Sequence, residues 1–154
     1  MSLADMDVSK IKQAGMVRVF APLMVGKHAA KYLNPGPESS IILSGAVISE
    51  RPQPNWGIIT TWANALIGVN KALALDLAPI RANLVSPGRI QTELWDWIAE
   101  NKKADTFREL GQVLPTGVFG KPEDIAEAYL YCMKDHNVTG NVIESNGGVL
   151  LKGP

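Results

Sequence analysis

Apolar positions recur along this chain in two rhythms. Over 8–33, Ile11, Val17, Phe20, Met24 and Tyr32 return at mostly helical spacing, which predicts a long helix with Ser9 as candidate N-cap. Pro22 falls inside that pattern. A proline there lacks a backbone donor and crowds the preceding turn, so it is expected to kink or divide the helix. Asn34-Pro35-Gly36-Pro37 ends it. Residues 40–43 are a short apolar run that predicts a strand, closed by Ser44-Gly45, and 50–56 form a proline-broken loop. A second long helix is predicted over 58–77, with Trp62, Leu66, Val69, Leu73 and Leu77 on one face. Residues 80–85 predict a buried strand, interrupted only by Arg81 and Asn83 and stopped by Ser86-Pro87-Gly88. Short helices over 93–100 and 104–110, joined by an Asn-Lys-Lys link, precede a loop over 114–120. A third long helix covers 122–134, with Pro122 in its first turn and Glu123 and Asp124 at the positive end of its dipole. The last strand is 141–144.

Helices alternating with short buried strands predict an α/β fold, a three-layer unit around a small parallel sheet, built as a single domain over 1–154. In such sheets ligands lie beyond the carboxyl ends of the strands, which directs attention to residues 86–95. Strand 40–44 is expected to be an edge, and an uncovered edge either pairs with something or is blocked.

Composition narrows the classes. Of 154 residues, 46% are apolar and 19% charged, which fits a globular chain and argues against disorder. Fifteen basic residues balance fifteen acidic ones, so nothing points to nucleic acid or an acidic membrane. The single cysteine, Cys132, excludes an internal disulfide. No apolar signal core is read in 1–10, and no apolar run is read as membrane-spanning. The cytosol is the expected compartment. No Cys/His or His-Glu-x-x-His spacing suggests a metal, and none is expected.

Three stretches carry a family resemblance. LALDLAPIRANLVSPGRIQTEL, KPEDIAEAYLYCM and VTGNVIESNGG resemble the late core, last long helix and final strand of the short-chain dehydrogenase/reductase family, and the resemblance spans about 10–151. It implies a Rossmann-like fold, of which this chain corresponds to the C-terminal half, beginning at the family's fourth helix. It also implies that Pro87, Gly88, Ile90 and Thr92 are the cofactor-binding positions, at the nicotinamide end. Yet the sequence holds no Gly-rich turn to receive a pyrophosphate at a helix N-terminus, and no acidic residue placed to hold a ribose. The family's Tyr-x-x-x-Lys pair falls on Ile59 and Ala63, neither of which carries a proton. Its helix Asn falls on Arg18, and its Ser on or near Ser44. The chain alone is therefore expected to bind no cofactor, with NAD(P) entering only if an N-terminal half completes it.

Individual residues keep two readings each. Ser44 can orient a substrate carbonyl, or satisfy backbone at a strand end. Glu50 and Arg51 can act as acid/base and anion clamp, or form a solvated loop pair. Trp95 and Trp97, with Trp62, can wall an apolar substrate pocket, or serve as core. Thr92 and Ile90 can hold a planar amide, or Thr92 can cap the next helix. His28 can be a base or a plain helix residue. Asn83 is read as tying the strand to neighbouring backbone. The catalytic candidates are thus Ser44, Glu50 and Arg18, and the substrate-binding candidates Trp62, Trp95 and Trp97.

Three functions follow. One is a cofactor-independent enzyme of isomerase, cyclase or dehydratase type acting on a hydrophobic small molecule. Another is a non-catalytic subunit, pairing with itself through helices 8–33 and 58–77 or with a full-length member of the family. The third is an NAD(P)-dependent oxidoreductase completed by another chain or a missing N-terminal part.

Overall fold

The computed structural model describes residues 6–152. Of the stretch 1–10 read for a signal core, residues 1–5 lie outside that range, as do 153–154 of the expected 1–154 domain. The elements run α1 (Val8–Gly15), a π-helical turn (Met16–Phe20), α2 (Ala21–Tyr32), β1 (Ser40–Ser44), α3 (Gly57–Asp76), β2 (Arg81–Pro87), α4 (Glu100–Gln112), α5 (Pro122–Lys134) and β3 (Val142–Ser145), with short 3-10 turns at Val47–Ser49, Glu93–Trp95 and Val149–Leu151.

The first helix departs from its sequence reading at its cap and is divided, as expected, next to Pro22. Asp7, not Ser9, is the N-cap, its carboxylate accepting the Ser9 N–H at 2.8 Å. The proline divides the helix through its hydrogen-bond pattern. A regular α-helix would ask the residue at 22 to donate to the Arg18 carbonyl, and proline has nothing to donate. The chain answers with a π turn over Met16–Phe20, in which the Ala21 N–H reaches back five residues to the Met16 carbonyl. The pair of short helices after β2 is also corrected. Residues 93–95 make only a 3-10 turn, Ala99 is extended, and the expected Asn-Lys-Lys link lies inside α4.

The sheet has the order β1-β2-β3 and is parallel throughout, with Ile41 opposite Ala82, Leu43 opposite Leu84, and Leu84 opposite Val142. Side chains alternate across it. Ile41, Leu43, Ala82 and Leu84 join Val19, Ala29, Leu66, Val69 and Leu73 in one core against α2 and α3. Gly26 lets α2 approach closely, since a Cβ there would lie 2.2 Å from a Leu73 methyl. Arg81 and Asn83 face the other side. Arg81, only 3% exposed, donates to the carbonyls of Cys132 at 2.5 Å and Met133 at 2.9 Å in the last turn of α5, to Val138 at 3.2 Å, and to Pro37 at 2.6 Å. A cation at a helix C-terminus meets the negative end of the dipole, so this arginine binds α5 to the sheet. Asn83 bonds the Val138 carbonyl and the Asn141 N–H, the backbone-tying role read from the sequence. Helices on both faces complete the three-layer α/β unit, a Rossmann-like arrangement around a small parallel sheet.

Two expectations about α3 need correction. Its Leu66, Val69 and Leu73, offered as part of a dimer face, are 4–7% exposed because they pack on the sheet of their own chain. The helix is also long and apolar enough, by length and a mean hydropathy of 1.3, to cross a membrane, contrary to the reading that no stretch is. Its buried stripe, Leu66, Val69 and Leu73, packs against β1 and β2.

Candidate active site at the carboxyl end of β1

The catalytic candidates are positioned by the break in the first helix and the end of the first strand. Arg18 sits in the π turn and Ser44 is the last residue of β1. Both line a cavity of about 260 Å³ whose other walls are Val17, Pro22, Leu43 and Leu66. Arg18 and Ser44 thus both border a space whose other lining residues are apolar, although alternation along β1 turns the Ser44 side chain to the α5 face. The Ser44 hydroxyl is also hydrogen-bonded to the phenol of Tyr129, which α5 presents from the opposite face of the sheet. Residues 44 and 129 are 85 positions apart, which is why sequence reasoning missed Tyr129. The available signal was its helical spacing with Ile125 and Cys132 on the sheet-facing side of α5.

Glu50 is not brought to this cavity. It is exposed and caps the turn Val47–Ser49 through its backbone N–H. Arg51 donates to the Val149 carbonyl at 2.5 Å, tying the loop after β1 to the C-terminal turn. Ile59 and Ala63, at the positions of the proton relay, lie on α3.

The tryptophans do not share a cavity with Ser44. Trp62 packs on Gly15, where a Cβ would lie 2.7 Å from its ring, and its N–H bonds the Ile11 carbonyl at 3.2 Å. It is the joint between α1 and α3. Trp95 bonds the Ile90 carbonyl at 2.8 Å and meets Phe119 edge-on at 5.5 Å, while Phe119 stacks on Phe107 at 5.1 Å. Trp97 lies 6.0 Å from Trp95 and is 76% exposed. The aromatic cluster therefore forms a satellite core under the loop after β2.

The four positions implied for a nicotinamide are engaged within the chain. Gly88 donates to the Ser145 carbonyl at 2.9 Å, and a Cβ there would lie 2.8 Å from the Asn146 backbone, so close approach to β3 explains the glycine. The Ile90 carbonyl serves Trp95. The Thr92 hydroxyl accepts from the Leu94 N–H at 3.4 Å as the cap of its turn. Pro87 ends β2 opposite Ser145. These residues bond within the loop and to β3.

The titrating groups with displaced pKa values lie away from the cavity. Burial pushes the Cys132 thiol up, against the pull of Arg81, which makes it an inert core thiol. Lys103 is pushed up to about 12 by the hydrogen bonds it donates to the Asp96 and Glu100 carboxylates. The Asn137 N–H and the Tyr131 hydroxyl hold the Asp135 carboxyl below its usual range. Among the described residues, no group of three or more His, Cys, Asp or Glu side chains is placed to hold a metal ion.

Comparison with known proteins assigns the class. A model of the SDR-like Rossmann domain matches residues 1–152, so the chain belongs to the short-chain dehydrogenase/reductase family. It is 40% identical over 150 residues to the short-chain dehydrogenase/reductase fsr5 of Gibberella fujikuroi, which covers 97% of this chain and 57% of that protein. It is 36% identical to the short-chain dehydrogenase/reductase malC of Malbranchea aurantiaca over the same shares. The solved structure of the MalC reductase/Diels-Alderase superposes with a TM-score of 0.91, covering 99% of this chain and 59% of that one. A small-chain dehydrogenase in complex with NADPH, 31% identical, superposes with a TM-score of 0.86 over 98% of this chain and 68% of its own. The chain therefore spans just under three-fifths of the length of the curated relatives it matches over most of its length.

Proposed function

We propose that this chain is a nicotinamide-independent enzyme that closes a ring in an apolar small molecule, acting as a single domain in the cytosol. The observation that carries the reading is the cavity at the end of β1, lined by Arg18 and Ser44 together with Val17, Pro22, Leu43 and Leu66, while Ile59 and Ala63 occupy the relay positions. A cycloaddition needs no proton relay and no hydride. Two carbon–carbon bonds form from the substrate's own π electrons, and nothing is oxidised or reduced. The protein has to hold the two ends in a reactive conformer and polarise the electron-poor partner. Apolar walls do the first. A guanidinium donor at Arg18 does the second by donating to a carbonyl on the dienophile. The resemblance to a protein described as both reductase and Diels-Alderase supports this chemistry. The buried thiol of Cys132 suits a reducing compartment.

The test is conversion of a linear, apolar diene carrying a carbonyl-activated dienophile, followed by loss of diene absorbance without nicotinamide. Ring closure above the uncatalysed rate is expected, with Arg18→Ala lowering it at least about tenfold. A rate equal to the uncatalysed one, or activity that appears only with NADPH, overturns the reading. That second outcome would favour an oxidoreductase completed by a further polypeptide, the alternative supported by the NADPH complex of a relative.

A further inference from the structure

The turn that leaves β3 brings the parts of a reaction together. Asn146 is the only asparagine of the sequence followed by a glycine. Gly147 and Gly148 adopt φ of 65° and 76°, where side chains are strained. The space around them is also closed. A Cβ on Gly147 would lie 3.1 Å from Leu114 and Thr116, and one on Gly148 2.9 Å from Pro115. The Thr116 N–H donates to the Gly147 carbonyl and the Val149 N–H to the Asn146 carbonyl, both at 3.3 Å, so the backbone of the turn is held. The Asn146 side chain is held as well. Its amide oxygen accepts from the Gly148 N–H at 2.9 Å, and its amide nitrogen donates to the Glu144 carboxylate at 3.2 Å. Among the described residues, the Gly147 N–H donates no hydrogen bond.

Each of these contacts has a role in the conversion of an amide to an imide. The Gly147 nitrogen is the nucleophile, and with no Cβ on its residue nothing shields it. As it adds to the Asn146 Cγ, negative charge develops on the amide oxygen, where the Gly148 N–H already points. The departing nitrogen needs a proton, and the Glu144 carboxylate is within hydrogen-bond reach to carry the one that Gly147 gives up. We propose that Asn146 is a self-modifying site, at which the folded turn drives closure of a succinimide and its opening to aspartate and isoaspartate. The bond from the Gly147 nitrogen to Cγ forms, the bond from Cγ to Nδ2 breaks, and ammonia leaves with the Gly147 proton. Water then adds to either imide carbonyl. Nothing is oxidised or reduced. The product loses its donor to Glu144 and sets two carboxylates side by side, which repel. The isoaspartyl form also adds a main-chain carbon to a turn packed on Leu114 and Pro115, which weakens its hold on that loop. β2 separates this turn from β1 and its cavity, and the inference does not depend on the ring-closure reading.

The purified chain is held at neutral pH in heavy-oxygen water, then digested and mapped by mass spectrometry. The peptide carrying Asn146 should become a mixture of aspartate and isoaspartate with one heavy oxygen, at least about tenfold faster than any other asparagine of the chain. Conversion should be faster in the folded chain than in denaturing urea, because only the folded turn holds the Gly148 donor and Glu144 in place. Glu144→Gln keeps an acceptor for the amide and removes the proton carrier. It should slow conversion about tenfold with an unchanged circular dichroism spectrum. An Asn146 that stays intact overturns the proposal, as does conversion that is faster in urea than in the folded chain. A Glu144→Gln rate equal to that of the unmodified chain equally overturns it.

Discussion

The Arg81 guanidinium donates to the Cys132 carbonyl at 2.5 Å, so one buried cation joins the central strand to the last turn of α5. Three further carbonyls, of Pro37, Met133 and Val138, share it. Replacement by methionine keeps the volume and leaves these acceptors without a donor in the interior. Each orphan costs about 1–3 kcal/mol, partly offset by the desolvation no longer required for the charge. Arg81→Met should therefore lose about 3 kcal/mol in urea denaturation. A loss under about 1 kcal/mol would show that α5 is held by other contacts.

The stripe Leu66, Val69 and Leu73 decides what a charge on α3 does. These side chains are packed on β1 and β2, so Leu66→Asp should abolish cooperative unfolding rather than release folded monomers. A folded, soluble monomer of that variant would contradict the packing.

The hydroxyl pair of Ser44 and Tyr129 links the end of β1 to α5. Ser44→Ala and Tyr129→Phe should each cost about 1 kcal/mol, and the double variant about the same as either alone. Additive losses in the double-mutant cycle would mean that the two hydroxyls do not act together.

Acid sensitivity follows from Asp135. Its folded-state pKa lies below the ordinary 3.8, through the Asn137 N–H and then the Tyr131 hydroxyl. A depressed carboxyl contributes stability that is complete above its unfolded pKa and is lost as pH falls through the folded one. Asp135→Asn should thus flatten the fall in melting temperature below pH 3.8, where the unmodified chain loses this contribution. Identical acid profiles would remove Asp135 from the account.

Local physics made most of the fold legible. The strand 80–85 was readable because its apolar run ends in Ser86-Pro87-Gly88, and in the structure it runs Arg81–Pro87, starting one residue later and ending two later. The helix 58–77 was readable from the spacing of Leu66, Val69 and Leu73. What periodicity could not give was the sense of that face. An apolar stripe reads the same whether it meets a sheet or a second subunit, and only the register of β1 and β2 shows that the sheet has it. The π turn was equally hidden, since Pro22 forbids one hydrogen bond without saying how the chain compensates. In the cavity, Arg18 and Ser44 were found through their positions in the family pattern. Tyr129 was not, because its partner lies on another element and sheet geometry alone joins them. Trp95 drew attention by its size, while its N–H was already matched to the Ile90 carbonyl five residues before it.

The proposal that the chain works without nicotinamide rests on a loop whose Gly88, Ile90 and Thr92 already bond within the chain. Isothermal titration of the purified chain with NADPH tests it most directly. The account predicts no saturable heat up to about millimolar ligand, the affinity range in which a few polar contacts alone leave a complex. A saturable isotherm with a dissociation constant in the micromolar range would contradict it.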